Sequence, residues 1–472
     1  MIDGQHNSAI EFVNIYHKDR AQGSKMFRIS LGSRSNSMCN GISRRHLLRL
    51  GTSGLIGGLT LPRLLELQAK AASPKSAKAK SCIFLFLEGG PPHQDMWDPK
   101  PHAPVEIRGP FSPIPTNVTG TFVTDQLPLC AKVADKYTII RSHSHRVNGH
   151  TTGYHYVMTG RKPTFADGDN PIPNNDFFPS LGSVVSRECG PRGALPAYMN
   201  LPHPMAAGGP GFYGAEHAPF VIEADPTQPD FEVKDLRPPD GLTQQRLDVR
   251  KKLLAGIDSI ERERTRGQAK VMSTYYNKAY DLIASPEAKK AFDIHAEPDS
   301  VRDAYGRTQL GQCTLLARRL VEGGCRFVGV DAPGWDVHFN CFPSLQTDLI
   351  PYADRAFSTL VADLEERGLL DETLVVMMGE MGRTPRVNAR AGRDHWSMAQ
   401  TIILAGGGIK PGQVIGATDK HAAEPTTEPV GVNDLLFTIS RLMGIDPTKT
   451  YLGPLGRPVP IVDGGKMIPG LV

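Results

Sequence analysis

Continuous apolar runs recur along the sequence after residue 80, and each one is followed by a polar or glycine-rich segment. The runs cover residues 81–87, 137–140, 326–330, 373–378 and 401–405. Short apolar runs of this kind are typical of strands that are buried on both faces of a parallel sheet. We therefore predict a central sheet that contains these five segments as strands.

Two segments between these runs have the periodicity of amphipathic helices. Residues 352–367 place Ala353, Phe357 and Leu364 on one face, and Gly368 is suited to end the helix. Residues 308–323 form a second predicted helix that leads into the strand at 326–330. Helices between buried strands imply right-handed crossovers. The predicted fold is therefore α/β, with a mostly parallel central sheet and helices on both faces.

Acids and histidines are concentrated just after the predicted strands. Ligands of open α/β sheets bind outside the carboxyl ends of the strands, so these side chains are the candidates for a functional site. Their nitrogen and oxygen atoms suit a divalent metal such as zinc, calcium or manganese. We predict a metal held by Asp336, His338 and His395. A second or shared site is predicted to use Glu380, Asp394 and Asp95.

Composition narrows the classes of partner. The chain has 472 residues and a net charge of +4, and outside the N-terminal region its basic residues are interleaved with acids. No basic run is long enough to follow a phosphate backbone, so we expect no nucleic-acid partner. The seven cysteines have no CxxC spacing, which argues against a thiolate zinc site.

The N-terminal region carries an export signal. Residues 43–49 read SRRHLLR and match the twin-arginine pattern, and a moderately apolar, glycine-containing stretch follows at 50–65. That stretch is too short for a stable membrane span. We expect passage through the twin-arginine translocase and a periplasmic or secreted location; the alternative is a basic helix that matches the pattern by chance.

The expected organisation is a leader followed by one large domain. Residues 1–79 form the N-terminal extension and leader, and residues 80–472 form the folded domain, with 188–300 as a cap or insertion. Residues 241–298 are charged and helical in character. They are typical of a solvated cap, and a binding surface is the alternative.

Several motifs resemble those of the alkaline phosphatase and sulfatase superfamily. Residues 352–382 are similar to the sulfatase stretch that ends in a metal-binding Asp, and Glu380 falls on that Asp. Residues 150–161 resemble the nucleophile motif, with His150 in place of the family's Cys, Ser or Thr. The motifs GGPPHQDMWDPKP, WDVHFN, GEMGRTPRVN and GRDHW are similar to those of a twin-arginine-exported branch of unknown function. The resemblance implies an alkaline-phosphatase-like fold.

The chain also departs from the superfamily pattern. Gly89 and Gly90 stand where sulfatases have the first paired Asp, so that Glu88 or Asp95 would have to substitute. Met381 stands where the relatives have a ligand Asn or His, and a thioether is a poor ligand for calcium or magnesium. His150 itself has three open roles: a phosphoryl-accepting nucleophile, a metal ligand or a structural residue.

Two functions from different classes are compatible with these motifs. The first is a metal-dependent hydrolase of phosphate or sulfate esters, with an anionic ester or glycan as the substrate. In that case His150 or Thr151 lies near the point of attack, and Arg383 and Arg393 hold the anion. The second is a noncatalytic relative that binds an anionic glycan or acts in an envelope complex. Metal content and ester turnover separate the two.

Overall fold

A computed structural model describes residues 77–163, 177–233 and 285–472, together with Arg246, Val249, Leu253 and Leu282. The twin-arginine motif and most of the predicted cap helices at 241–298 lie outside the described residues. None of the helices in the described ranges is long and apolar enough to cross a membrane.

An eight-stranded sheet lies at the centre of the described part of the chain. Its strands are β1 (Ser81–Leu87), β2 (Tyr137–His143), β3 (Tyr198–Leu201), β4 (Phe220–Val221), β5 (Phe327–Ala332), β6 (Thr373–Met378), β7 (Gln400–Ala405) and β8 (Gln413–Ile415). Their order is β8-β2-β7-β6-β1-β5-β3-β4. The neighbouring strands are parallel except at β7, which is antiparallel to β2 and β6. The predicted mostly parallel sheet is confirmed.

Helices cover both faces of this sheet. The longer ones are α1 (His150–Thr159), α2 (Leu181–Cys189), α3 (Gln309–Glu322), α4 (Ile350–Glu366) and α5 (Val432–Leu442), and the shorter ones are Val105–Arg108, Pro128–Lys132, Pro286–Phe292, Asp299–Tyr305 and Cys341–Ser344. Successive residues of a strand point to opposite faces. Ile83 and Leu85 of β1 accordingly belong to the core under α3 and α4. Phe84 and Phe86 belong to the core under α1, α2 and α5.

The strand directions bring distant parts of the chain to one edge of the sheet. Since β1, β2, β5 and β6 run in the same direction, their carboxyl ends lie along that edge. The antiparallel β7 places its amino end there instead. A two-stranded ribbon, Gly382–Arg383 with His395–Trp396, connects the segment after β6 to the segment before β7. The candidate functional residues therefore come together at this edge.

Candidate metal centre

Three histidines and one aspartate converge at the shared edge of the sheet. His150 is the first residue of α1, Asp336 and His338 follow β5, and His395 precedes β7. One donor atom from each of the four lies within 4.8 Å of the others. Oδ1 of Asp336 lies 2.9–3.3 Å from Nε2 of all three histidines. Four of the sequence-predicted site residues thus form one cluster.

The other ring nitrogen of each histidine is fixed by an oxygen. Carboxylate and carbonyl oxygens can only accept a hydrogen bond, so each Nδ1 carries a proton and donates it. Each Nε2 is then the atom left to bind a metal, an arrangement common around protein metal sites. The Nδ1 contacts are His150 to Oε1 of Glu380 at 2.5 Å, His338 to Oδ1 of Asp394 at 2.7 Å and His395 to the main-chain oxygen of Asn148 at 2.9 Å.

The geometry of the cluster suits a positive charge at its centre, either a proton or a metal ion. Nε2 of His338 and Nε2 of His395 lie only 3.0 Å apart, and both carry lone pairs when the rings are neutral. Nε2 of His150 is buried, and its contact in the described chain is Oδ1 of Asp336 at 3.1 Å. A tetrahedral zinc ion with bonds of about 2.0 Å would separate its ligand atoms by about 3.3 Å. The observed spacings fit such an ion, and imidazole-rich sites suit zinc better than calcium.

Protonation of the metal-free cluster is set by its carboxylates. Burial by itself lowers the pKa of His150, but the neighbouring Asp336 and Glu380 outweigh it and raise the pKa to about 9. Burial opposes ionisation of Asp336, but His150, His395 and Arg383 hold the pKa of that carboxyl well below its usual range. A metal that binds near neutral pH must therefore displace a proton from His150.

Arg383 holds Asp336 in place. Its guanidinium is fully buried and donates to Oδ1 of Asp336 at 2.5 Å, to the main-chain oxygens of Gly89 and Gly90, and to the main-chain oxygen of Arg393. Gly89 has a φ of +111°, and a Cβ there would lie 2.4 Å from the main-chain nitrogen of Asp336. A side chain at position 89 would thus collide with the loop that carries Asp336, which explains the glycine.

Asp95 and Arg393 lie outside the cluster and bind each other. Both side chains are fully buried, and Arg393 donates to the two carboxylate oxygens of Asp95 at 2.7 and 2.8 Å. The remaining N–H groups of Arg393 donate to the main-chain oxygens of Ile107, Thr384 and Pro385. Every donor of this guanidinium therefore has a protein acceptor, and none is left for a substrate anion.

Glu380, Asp394 and Thr151 lie next to the cluster. Glu380 is fully buried and contacts His150, and its second oxygen accepts from the main-chain nitrogen of Gly89 at 3.1 Å. Asp394 contacts His338. Both carboxylates therefore orient histidines. Thr151 follows His150 in the first turn of α1, and its side chain is buried.

A second group of acids lies deeper at the same edge. Asp331, in β5, is buried, and its Oδ1 has no hydrogen-bond partner in the described chain. Burial, the adjacent Glu88 and the more distant Glu380 raise the pKa of Asp331 to about 8. Glu88 also interacts with the hydroxyl of Tyr154. Carboxylate oxygens are the ligands of hard cations, so Glu88 and Asp331 could hold a calcium or magnesium ion.

This raised pKa predicts a pH-dependent stability. Asp331 ionises near pH 4 in the unfolded chain but keeps its proton up to about pH 8 in the folded one. The favourable contribution of Asp331 is thus complete below pH 4 and is lost as the pH rises toward 8. Between pH 4 and pH 8, the free energy of unfolding of the Asp331→Asn protein should therefore rise relative to that of the wild type, by up to about 1.4 kcal/mol per pH unit.

Urea unfolding at several pH values in the presence of a chelator measures this difference. Asp371→Asn is the control, because Asp371 is exposed and its replacement should leave the difference flat. Parallel pH profiles for the Asp331→Asn protein and the wild type would contradict the prediction.

Other buried histidines near the cluster are neutral and structural. Burial, and to a lesser extent His145, lower the pKa of His143 to about 3. Burial lowers the pKa of His145 to about 4, and its Nε2 donates to the main-chain oxygen of Glu380 at 2.7 Å. His145 thus fixes the segment that supports His150. Met381 is fully buried and packs against Gly90.

Three contributors to this region were absent from the predicted set. Asp331 is an acidic residue at the end of an apolar run, so the sequence does contain a signal for it. It was missed because the strand was predicted to end at residue 330. Asn148 acts through its main-chain oxygen, which no side-chain pattern reveals. Asn388 donates to Oδ1 of Asp394 at 3.2 Å and to the main-chain oxygen of His338 at 2.9 Å.

Comparisons with known proteins give a family and distant structural similarities. Residues 79–472 match a protein family described as "Protein of unknown function (DUF1501)". None of the curated proteins matches this sequence. The similar solved structures include PsFucS1 sulfatase from Pseudoalteromonas sp., at 14% identity over 81% of this chain and 70% of that chain, with a TM-score of 0.33.

Two further structures are similar to the same extent. Phosphonate monoester hydrolase SpPMH from Silicibacter pomeroyi has 14% identity over 83% of this chain and 76% of that chain, with a TM-score of 0.37. Alkaline phosphatase from the Antarctic bacterium TAB5 has 11% identity over 78% of this chain and 98% of that chain, with a TM-score of 0.34. Such identities do not carry over a reaction, so the function must be argued from the residues of the cluster.

Proposed function

The chain belongs to the DUF1501 family, and we propose that it is a metal-dependent hydrolase of phosphate or sulfate esters. The observation that carries this proposal is the convergence of Nε2 of His150, His338 and His395 on Oδ1 of Asp336. The three rings are about one quarter exposed and Asp336 is 45% exposed, so a ligand can reach the cluster from solvent. With four protein donors, a catalytic zinc ion would have to expand to five-coordination to take a substrate oxygen.

The donor set supports zinc as the resident ion. A divalent cation held here supplies a Lewis acid that polarises an ester oxygen and stabilises developing negative charge. The chain's own contribution is to orient the donors: Glu380 and Asp394 fix two of the rings, and Arg383 keeps Asp336 ionised. Of the three roles open to His150, nucleophile, metal ligand or structural residue, our proposal assigns it that of a metal ligand.

The position of α1 supports an anionic substrate. The helix begins at His150, so its positive end lies at the cluster, where it attracts negative charge. Arg383 and Arg393 are buried and bonded to protein oxygens, and we therefore assign them to positioning rather than to direct contact with the anion. Hydrolysis adds water across the ester bond and releases the anion and an alcohol.

A noncatalytic role in binding an anionic glycan is the second candidate. The observation that favours it over hydrolysis is that Arg383 and Arg393 are buried and bonded to protein oxygens, so neither is placed to stabilise the charge that develops during ester cleavage. Under either function, the twin-arginine motif at residues 43–49 supports export to the periplasm or beyond. Twin-arginine export carries folded proteins, which suits a metal site whose ligands come from distant segments.

Elemental analysis and an ester panel test the hydrolase proposal. We expect the purified protein to hold about one zinc ion per chain at the cluster. Turnover of 4-nitrophenyl phosphate or 4-nitrophenyl sulfate should be lost with a chelator and restored by zinc. The exposed His102→Ala serves as a control that should keep both metal and turnover. A protein that holds zinc but turns over no ester would favour the binding function, and one without any metal would overturn the metal-dependent hydrolase.

A further inference from the structure

A groove of about 450 Å³ lies beside the metal cluster. Its walls come from the segment around the short helix Val105–Arg108, from Phe342 and from the loop at residues 387–391. The lining is largely apolar, with Val105, Pro110, Phe342, Val387, Ala389 and Ala391, and its one acid among the described residues is Glu106, which contacts Arg386 at 3.4 Å. Val105 is 64% exposed, so the groove is open to solvent at this side chain.

The groove and the cluster share a wall. Asn388 lines the groove, and its Nδ2 donates to Oδ1 of Asp394, the carboxylate that fixes His338. The Oδ1 of Asn388 accepts from the main-chain nitrogens of Arg390 and Gly392, which holds the loop in shape. Asn388 therefore links the groove directly to the carboxylate and the loop that position His338.

Exposed positive charge lies at the edge of this groove. Arg390 is exposed, and its guanidinium lies 6.0 Å from the ring centre of Phe339, which is itself 67% exposed. The main-chain oxygen of Arg390 accepts at 2.8 Å from the main-chain nitrogen of Asn340, which is two residues after His338, so Arg390 lies near the cluster. Arg386 is 76% exposed and has a single weak contact with Glu106 at 3.4 Å. No ion pair of Arg390 occurs among the described residues.

These features favour an occupant that combines apolar ring faces with negative charge. Phe339 and the apolar walls can pack against the carbon-bound face of a ring. Arg390 and Arg386 can each donate two parallel hydrogen bonds to a sulfate, phosphate or carboxylate group. A small monoester would fill only the cluster and leave Arg390 without an anionic partner, whereas Arg386 keeps its contact with Glu106.

We propose that the groove is a substrate subsite, and that the enzyme acts on anionic oligosaccharides that carry a second negative group on the unit next to the reacting ester. Arg390 binds that second group, and Phe339 packs against its ring. The inference rests on the proposed function for the part of the substrate that carries the reacting ester. The groove and its arginines add the specificity for an oligomer over a small monoester.

Binding measurements on the full metal-loaded protein test the subsite. The probes are sulfated maltotriose, unsulfated maltotriose and oligothymidylate. We expect sulfated maltotriose to bind and unsulfated maltotriose to bind much more weakly. Arg390→Ala should weaken binding of the sulfated probe about tenfold, the loss expected for one charge-assisted hydrogen bond, while Arg390→Lys should lose less. Arg457→Ala, an exposed arginine in the hairpin near residue 455, is the matched control and should bind as the wild type does.

The outcomes separate the subsite from the hydrolase. Equal binding by the Arg390→Ala and Arg457→Ala proteins, or equal binding of sulfated and unsulfated maltotriose, would overturn the subsite even if small esters are hydrolysed. Tighter, Arg390-dependent binding of oligothymidylate would overturn the choice of a saccharide. Arg390-dependent binding of sulfated maltotriose by a protein that turns over no ester would support the subsite and overturn the hydrolase.

Discussion

His338→Ala should bind zinc at least 100-fold more weakly than the wild-type protein, because loss of an orienting partner alone costs about 10–100-fold in affinity. His338 supplies one of the three Nε2 atoms, and its removal leaves two imidazoles and one carboxylate. Ester turnover at limiting zinc should fall in parallel. Competition titration against a chromophoric chelator measures the affinity, and elemental analysis of the purified protein checks the metal content.

A graded series separates ligands from the residues that orient them. Asp394→Asn keeps the size of the side chain but loses the charge that holds Nδ1 of His338, so the affinity should fall by about 10–100-fold and no further. The exposed His102→Ala should have no effect. If Asp394→Asn loses as much affinity as His338→Ala, then Asp394 is a direct ligand and the cluster has been assigned wrongly.

The strands could be predicted because burial leaves a simple signal. Residues 82–87 are apolar throughout, since both faces of β1 are covered by helices, and the predicted bounds 81–87 match the observed strand. The periodicity of residues 352–367 likewise predicted α4 at Ile350–Glu366. The antiparallel direction of β7 could not be predicted, because a strand buried on both faces has the same composition in either direction.

The metal cluster was partly predictable for the same topological reason. Asp336 and His338 lie in the segment after β5, so the rule that ligands gather at carboxyl strand ends predicted their observed position. His395 reaches the same point from the opposite direction, because it precedes the antiparallel β7. Which of several polar residues in one loop faces the cluster is decided by packing. That is why Asp95 and Asp394, both predicted as ligands, differ so much in position.

Asp95→Ala should lower the free energy of unfolding by about 3–5 kcal/mol, because it leaves the charge of Arg393 buried without its partner. Both side chains of this pair are fully buried, so water cannot replace the lost carboxylate. Zinc affinity should stay close to that of the wild type, since Asp95 makes no contact with the four donor groups in the described chain. Chemical denaturation and a zinc titration of the same protein measure the two effects independently.

An exposed ion pair provides the matched control for this prediction. Lys80 and Glu372 form a salt bridge with side chains 50% and 46% exposed, so Glu372→Ala should cost at most about 1 kcal/mol. Replacement of both buried partners, Asp95→Leu with Arg393→Met, should recover much of the loss, because no uncompensated charge remains. The sequence alone placed Asp95 at a metal and Arg393 at an anion. If the Asp95→Ala protein loses zinc with little loss of stability, Asp95 is a metal ligand, as the sequence predicted. If it loses stability but keeps zinc, the Asp95–Arg393 pair holds the loop between β6 and β7 against the segment that follows β1.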